Sequence, residues 1–351
     1  MRMWVYVVRR LLLFIPTLVG LTFIVFGLSH AGGNNLVLAM YINPKLTGQA
    51  RTDLVQRLTQ QFHLDQPIYI QYAYWVGALL QGNWGYTTTP VFSGTVTTAI
   101  ALFLPNTLMI TAVAALLIWI LGVPLGVYSA VNRDSVGDHS LRIISFSLYS
   151  MPFYLIAILL LIVFGVYLRL LPFAGVVTPS LASSLPWYQN GISYPTHIII
   201  IDGIIHGDWA IVFDAFLHLI LPSVTLALAI MASIIRILRA SMLEVLDQDY
   251  IRLARSKGIP EQWVYNLHAK KNALLPVLTL YGYTVAILLG GAVVVEAVFS
   301  YPGIGFWTTQ ALINNDAGGI MSSTLIFGII LVSVSLVLDL AYAFVDPRIR
   351  Y

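Results

Sequence analysis

No cysteine occurs among the 351 residues, which excludes disulfides, zinc ribbons, thiol catalysis and iron–sulfur ligation together. A thiol-free chain is indifferent to redox poise, so the absence says nothing about compartment. Charge is the second scarcity. Asp, Glu, Lys and Arg make up 9% of the chain, against about 25% in soluble domains. So few charges cannot cover a water-facing surface at this length. Apolar residues take their place: the chain is 58% hydrophobic with a mean hydropathy of +0.84, so lipid is the solvent for much of it. The formal net charge of +3 leaves no footprint for nucleic acid.

Catalytic signatures are missing too. There is no Gly-x-x-x-x-Gly-Lys-Ser/Thr phosphate loop, so ATP is not hydrolysed by this chain, and no His-Glu-x-x-His zinc motif. Gly303 and Gly305 in YPGIGFW lack a preceding strand and a third glycine, which excludes a dinucleotide loop. No cofactor or metal is expected on the chain itself. Ionisable residues within apolar runs are costly and often functional. Here they are His218, Glu296 and Asp339, each near the end of a run rather than at mid-depth. Structural or interfacial roles are expected, with Glu296 near the outer mouth and Asp339 meeting Arg348 or Arg350 near the inner face.

Apolar runs long enough to cross a bilayer occur near 11–29, 101–131, 143–168, 216–238, 277–299 and 323–345, each exceeding the roughly 17 residues required. The expected fold is an all-α membrane protein of about six transmembrane helices. The second run is over-long and carries Gly122 and Pro124, so a kink or an extension is expected there. Basic residues set the orientation. With the N-terminus inside, the cytoplasmic segments hold Arg2, Arg9, Arg10, Arg133, Arg142, the cluster from Arg236 to Lys271, and Arg348 and Arg350. Only Lys45, Arg51, Arg57 and Arg169 remain outside, and 170–215 has no Lys or Arg. Both termini are therefore expected in the cytoplasm, with the chain in the cytoplasmic membrane.

Arg9-Arg10, the run that follows, and Ser29-His30-Ala31 also read as a signal peptide. The run is long for a signal core, so a retained first span over 1–31 is expected. The outer loop 32–98 is long enough to fold. Leu54, Leu58 and Phe62, then Tyr69, Tyr72, Trp75, Val76, Leu79 and Leu80, recur at helical spacing. A second outer loop, 171–215, carries Asp202, Asp208 and Asp214 among Pro, Ser, Tyr and Trp. These loops read as aromatic interfacial anchors, or as a docking surface for an extracytoplasmic partner.

The inner loop 239–276, within a core at 99–351, is the most informative segment. Asp249 is placed to cap a short helix with Tyr250, Ile251, Leu253 and Ala254 on one side and Arg252, Arg255 and Lys257 on the other. Gly258 falls where a helix end wants positive φ, and Pro260 suits the next first turn, followed by Glu261 and Gln262. Such a helix is a lever for a soluble partner or a basic helix lying on anionic lipid; the residues alone leave both open.

The stretches EVLDQDYIRLARSKG, IPEQW and HAKKNALLPVLT resemble the cytoplasmic loop of ABC-importer permeases, most closely the first permease subunit of the dipeptide/oligopeptide family. FHLDQPIYIQYAYWVGALLQGNWG, DGIIHGDWAIVFDAFLHLILPSVTLALA, GGAVVVEAVFSYPGIG and the opening MWVYVVRRLLLFIPTLVGLTFIVF resemble that family in the same order. The Glu-Ala-Ala that names the loop in the wider superfamily is Arg252-Leu253-Ala254 here, while Gly258 keeps its place. The resemblance implies half of a translocation path and no catalysis by this chain. It implies as partners a second homologous permease subunit, two cytoplasmic ATPase subunits that use ATP and Mg, and an extracytoplasmic substrate-binding protein. It also implies that Asp249, Tyr250, Arg252, Leu253, Ala254, Arg255, Lys257 and Gly258 form the coupling helix that meets an ATPase, the three cations acting as salt-bridge donors. Peptides, oligosaccharides or metal chelates all remain possible cargo. From other classes, an ion-gradient transporter wants mid-depth carboxylates and matching broken helices, and an intramembrane enzyme wants a nucleophile–base or metal arrangement; the sequence offers none of these.

Overall fold

A computed structural model describes residues 3–31, 34–42, 46–183, 185–189 and 192–345. The chain divides into two units. The first comprises 1–107, 186–198 and 302–351, the second 108–185 and 199–301. Among the described residues five helices are long and apolar enough to cross a membrane, or six if one sharply bent pair counts as a single span.

In the first unit, α1 (Met3–Ala31) is followed by α2 (Asn34–Tyr41), α3 (Gly48–Gln61) and α4 (Ile68–Leu80). A small antiparallel pair, β1 (Tyr86–Thr88) and β2 (Ser93–Thr95), sets Thr87 opposite Gly94. It leads into α5 (Val96–Leu117), of which the residues to Thr107 belong to this unit. The helical spacing read at 54–62 and 69–80 falls in α3 and α4, Phe62 standing just past the end of α3. Phe62, Trp75 and Leu79 join Phe26 of α1 and Leu325 in one buried cluster, with Leu54, Tyr72 and Val76 packed against it. Tyr69 and Leu80, grouped with that face by spacing, are exposed instead.

The second unit continues α5 through a π turn, Ile118–Gly122, into α6 (Val123–Val131). This is the irregularity expected at Gly122 and Pro124: the proline has no N–H to continue the ladder, and the wider turn absorbs the mismatch. Next come α7 (Val136–Ser150) and α8 (Phe153–Leu160), the latter extended by a second π turn, Leu161–Tyr167. The sequence reads 143–168 as one span. The structure corrects this: the two helices are bent by 112° at their junction. Met151 is extended (φ −89°, ψ 133°) because Pro152 follows it, and Pro152 in turn starts α8.

After the short α9 (Pro179–Ala182), the chain returns to the first unit for a two-residue hairpin, β3 (Tyr188–Gln189) and β4 (Ile192–Ser193). In the second unit α10 (Ile199–His206) precedes α11 (Trp209–Leu246), a helix of 38 residues. Asp208 caps α11 by accepting the Ile211 N–H at 3.2 Å, and Asp214 accepts both the backbone N–H (2.6 Å) and the hydroxyl (2.8 Å) of Thr178. Asp208 and Asp214 are thus tied into the fold. α6, α7, α8 and α10 pack around α11. A side chain at Gly126 would sit 3.0 Å from the Leu238 Cβ, the close backbone approach that small residues permit between membrane helices.

Then come α12 (Asp249–Ser256), α13 (Glu261–Trp263), a third π turn (Val264–Ala269) and α14 (Lys270–Val298), which also packs on α11. The segment read as 239–276 thus begins within α11, which runs through Arg239 to Leu246, and ends within α14, which holds Pro276. The first unit closes with α15 (Ile304–Ile313) and α16 (Ala317–Val345), α16 lying along α1.

Candidate functional site: the exposed elbow after α11

α11 hands over to α12 across Asp247 and Gln248. Gln248 stands at the cap position of α12, and Asp249 is the first helical residue. The sequence placed Asp249 as the cap. It instead pairs with Arg252 at 3.5 Å on an almost fully exposed surface, one turn along the same face. The inward face is narrow: Ile251 and Ala254 are buried, and so are Val264 and Ala269 of the π turn against which α12 packs. Tyr250 and Leu253, grouped with that apolar side by sequence, are 42% and 55% exposed. The Tyr250 hydroxyl accepts from the Asn272 side chain at 2.8 Å.

Gly258 ends the helix as expected. Its φ is +77°; its N–H donates to the Arg255 carbonyl at 2.9 Å, and the Ile259 N–H to the Ala254 carbonyl at 3.3 Å. These are the two crossed bonds of a Schellman closure, which satisfies carbonyls a helix end leaves orphaned. No neighbouring atom lies within 4 Å of where a Cβ would stand, so backbone conformation alone demands glycine. Asparagine tolerates this region while β-branched residues do not. Gly258→Asn is expected to keep slow amide exchange at Ile259, and Gly258→Val to lose it, in hydrogen-exchange mass spectrometry of the 250–262 segment.

The three cations predicted to face a partner differ in availability. Arg255 donates to Glu261 across the joint at 2.9 Å and 3.4 Å, and the carboxylate pushes its guanidinium further up from an already high value. It braces the elbow. Among the described residues Arg252 pairs with the exposed Asp249, and Lys257 is exposed. With Trp263 (61%) and Leu267 (53%) exposed just beyond, the elbow presents apolar side chains interleaved with cations.

The remaining sequence candidates stand apart from the elbow. His218 is buried; its Nδ1 lies 2.9 Å from the Asp214 carbonyl and 3.5 Å from that side chain. Glu296 is buried near the end of α14. Asp339 of α16 pairs with Arg10 of α1 at 3.0 Å. Arg348 and Arg350, the partners expected for it, lie outside the described residues. Sequence reasoning missed Asp138. Ser135 caps α7, accepting the Asp138 N–H at 3.2 Å. The Asp138 side chain, however, turns fully inward to Arg239.

Residues 122–351 match the model of the binding-protein-dependent transport system inner membrane component. The chain belongs to this family. The permease is 35% identical to the oligopeptide transport system permease protein AppB of Bacillus subtilis, over 99% of both chains. It is also 35% identical to the di/tripeptide transport system permease protein DppB of Pseudomonas aeruginosa, over 99% of this chain and 98% of the relative. Identity to the dipeptide transport system permease protein DppB of Escherichia coli is 33%, with the same coverage. The permease is thus a membrane component with several spanning helices, of the peptide-permease kind of ABC importer.

Proposed function

We propose that this permease forms half of the translocation path of an ATP-driven importer for dipeptides and oligopeptides, and that α12 carries the stroke of a cytoplasmic ATPase into its spans. A second homologous permease, two ATPase subunits and an extracytoplasmic binding protein complete the machine, and both termini lie in the cytoplasm. One observation supports this above the rest: a short rigid helix stands at the foot of α11, anchored by Ile251 and Ala254, with Tyr250, Leu253, Arg252 and Lys257 turned outward. A helix resting on lipid would need no such braced, glycine-closed joint.

The peptide cargo rests on the kinship with AppB and DppB, whose names all concern peptides. Oligosaccharide and chelate transport have no comparable support, and family membership removes the reason to consider an ion-gradient transporter or an intramembrane enzyme. Vesicles containing the assembled complex are expected to accumulate a labelled tripeptide only when ATP, both ATPase subunits and the binding protein are present. Uptake without nucleotide, or uptake competed by maltotriose or ferric chelates but not by peptides, would overturn the reading.

A further inference from the structure

Asp138 is a heavily engaged carboxylate outside the elbow. It is fully buried, and Arg239 grips it with a fork, Nε to Oδ1 and Nη2 to Oδ2, both at 2.8 Å. The Ser129 hydroxyl donates to Oδ1 at 2.5 Å and the Asp134 N–H to Oδ2 at 3.1 Å. Arg142 stands 3.7 Å away. One carboxylate thereby joins α6, the turn after it, α7 and α11. Right beside it, close packing gives way to a cavity of about 650 Å³ between α7 and α11, lined by Arg142, Phe146, Ala232 and Arg236 among others. Where the helices part, the fork ties them at one end, and the Arg236 guanidinium, 4.2 Å over the Tyr149 ring, bridges them farther along α7. A bidentate guanidinium–carboxylate pair fixes orientation as well as distance, so α7 cannot swivel on α11 while it holds.

The position of this fork gives it a use. Arg239 lies about two turns before the end of α11 and its elbow, and Asp138 lies in the first turn of α7, whose far end makes the 112° bend into α8. The geometry points to Asp138 and Arg239 as positioning residues for transport: together they carry displacement of α12 sideways from α11 into the bent pair α7–α8. This inference rests on the coupling role of α12 proposed above. Nothing in it requires either residue to touch cargo or nucleotide.

The test uses the complete complex, with Arg239→Lys and Asp138→Asn as milder variants than alanine. Arg239→Lys keeps the charge and removes the fork. Both variants are expected to assemble with the ATPase subunits and to hydrolyse ATP, while peptide imported per ATP falls about tenfold. A second readout uses the cysteine-free background. Spin labels at Val136→Cys and Gln248→Cys, both exposed, report the spacing of α7 and the elbow. In the otherwise unaltered complex that spacing is expected to stay the same with and without ATP, and to change between those states in Arg239→Lys. Unaltered import per ATP in both assembled variants would overturn the proposal, as would a proportional fall of uptake and hydrolysis together, which marks a merely structural role. A nucleotide-dependent spacing with the fork intact would overturn it equally. If the unaltered permease fails to bind the ATPases, the coupling role itself has failed, a result seen before any variant is made.

Discussion

Replacing Tyr250 and Leu253 together by aspartate is expected to strip the ATPase subunits from the complex while leaving the permease folded. Both side chains are partly exposed, so the permease alone loses chiefly the bond from Asn272 to the Tyr250 hydroxyl. Its anchors, Ile251 and Ala254, are untouched. In the complex, an apolar side chain filling a partner's groove is worth about 2 kcal/mol or more at an interface centre. The carboxylates would also have to enter that groove without a partner. Two such losses amount to about 4 kcal/mol, or roughly a thousandfold in association. Co-purification of tagged permease with ATPase subunits, alongside the melting temperature of the permease itself, reads both halves of the expectation. Retained association would remove α12 from the interface. Ile251→Asp is the control with the opposite pattern, since it buries a charge inside the second unit and lowers the melting temperature first.

The largest effect expected inside the first unit follows Gly318→Ala. Gly318 lies in the first turn of α16, and a methyl group there would meet the Tyr86 carbonyl oxygen at 1.9 Å, with the Met40 carbonyl at 3.2 Å. Backbone oxygens cannot rotate aside as a side chain does. β1 is also held at this point: buried Asp316 accepts from the Thr87 hydroxyl at 2.5 Å and from the Thr88 N–H at 3.0 Å, and the Trp307 indole N–H donates to that same hydroxyl at 3.2 Å. Relieving the clash means moving β1 and breaking these bonds. Overpacking with partial loss of buried hydrogen bonds costs about 2–4 kcal/mol. The expected result is a large fall in the yield of monodisperse protein and in its melting temperature. Gly258→Ala, with open space around it, is expected to cost only about 1 kcal/mol from its backbone conformation. A Gly318→Ala protein as stable as that variant would show that β1 and α16 are not pinned together.

The elements legible in the sequence are those whose cause is local. Spanning helices announce themselves by apolar length, and the Gly258-Ile259-Pro260 joint by backbone chemistry that needs no distant contact. The helices at 48–61 and 68–80 were visible in their spacing, yet which of Tyr69, Tyr72 and Leu80 would be covered depends on where α1 and α16 bring Phe26 and Leu325. The break at Met151–Pro152 had a local cause that the continuous apolar run concealed. Asp138 was hidden for another reason. Beside Ser135 it mimics a common helix start, and its partner Arg239 lies about a hundred residues away, counted until then only as one more cytoplasmic charge. Tyr250 and Leu253 show the limit from the other side: hydrophobicity predicted burial, and the fold leaves them 42% and 55% exposed.

One consequence concerns the reach of α11. Its 38 residues make a rod about 57 Å long, nearly twice the ~30 Å depth of hydrocarbon. Such a rod magnifies small rotations: a tilt of about 5° about one end sweeps the other by roughly 5 Å, and a pivot at its middle moves each tip about half as far. An angular change too slight to tear the packing around its middle is enough to open or shut a passage at its end.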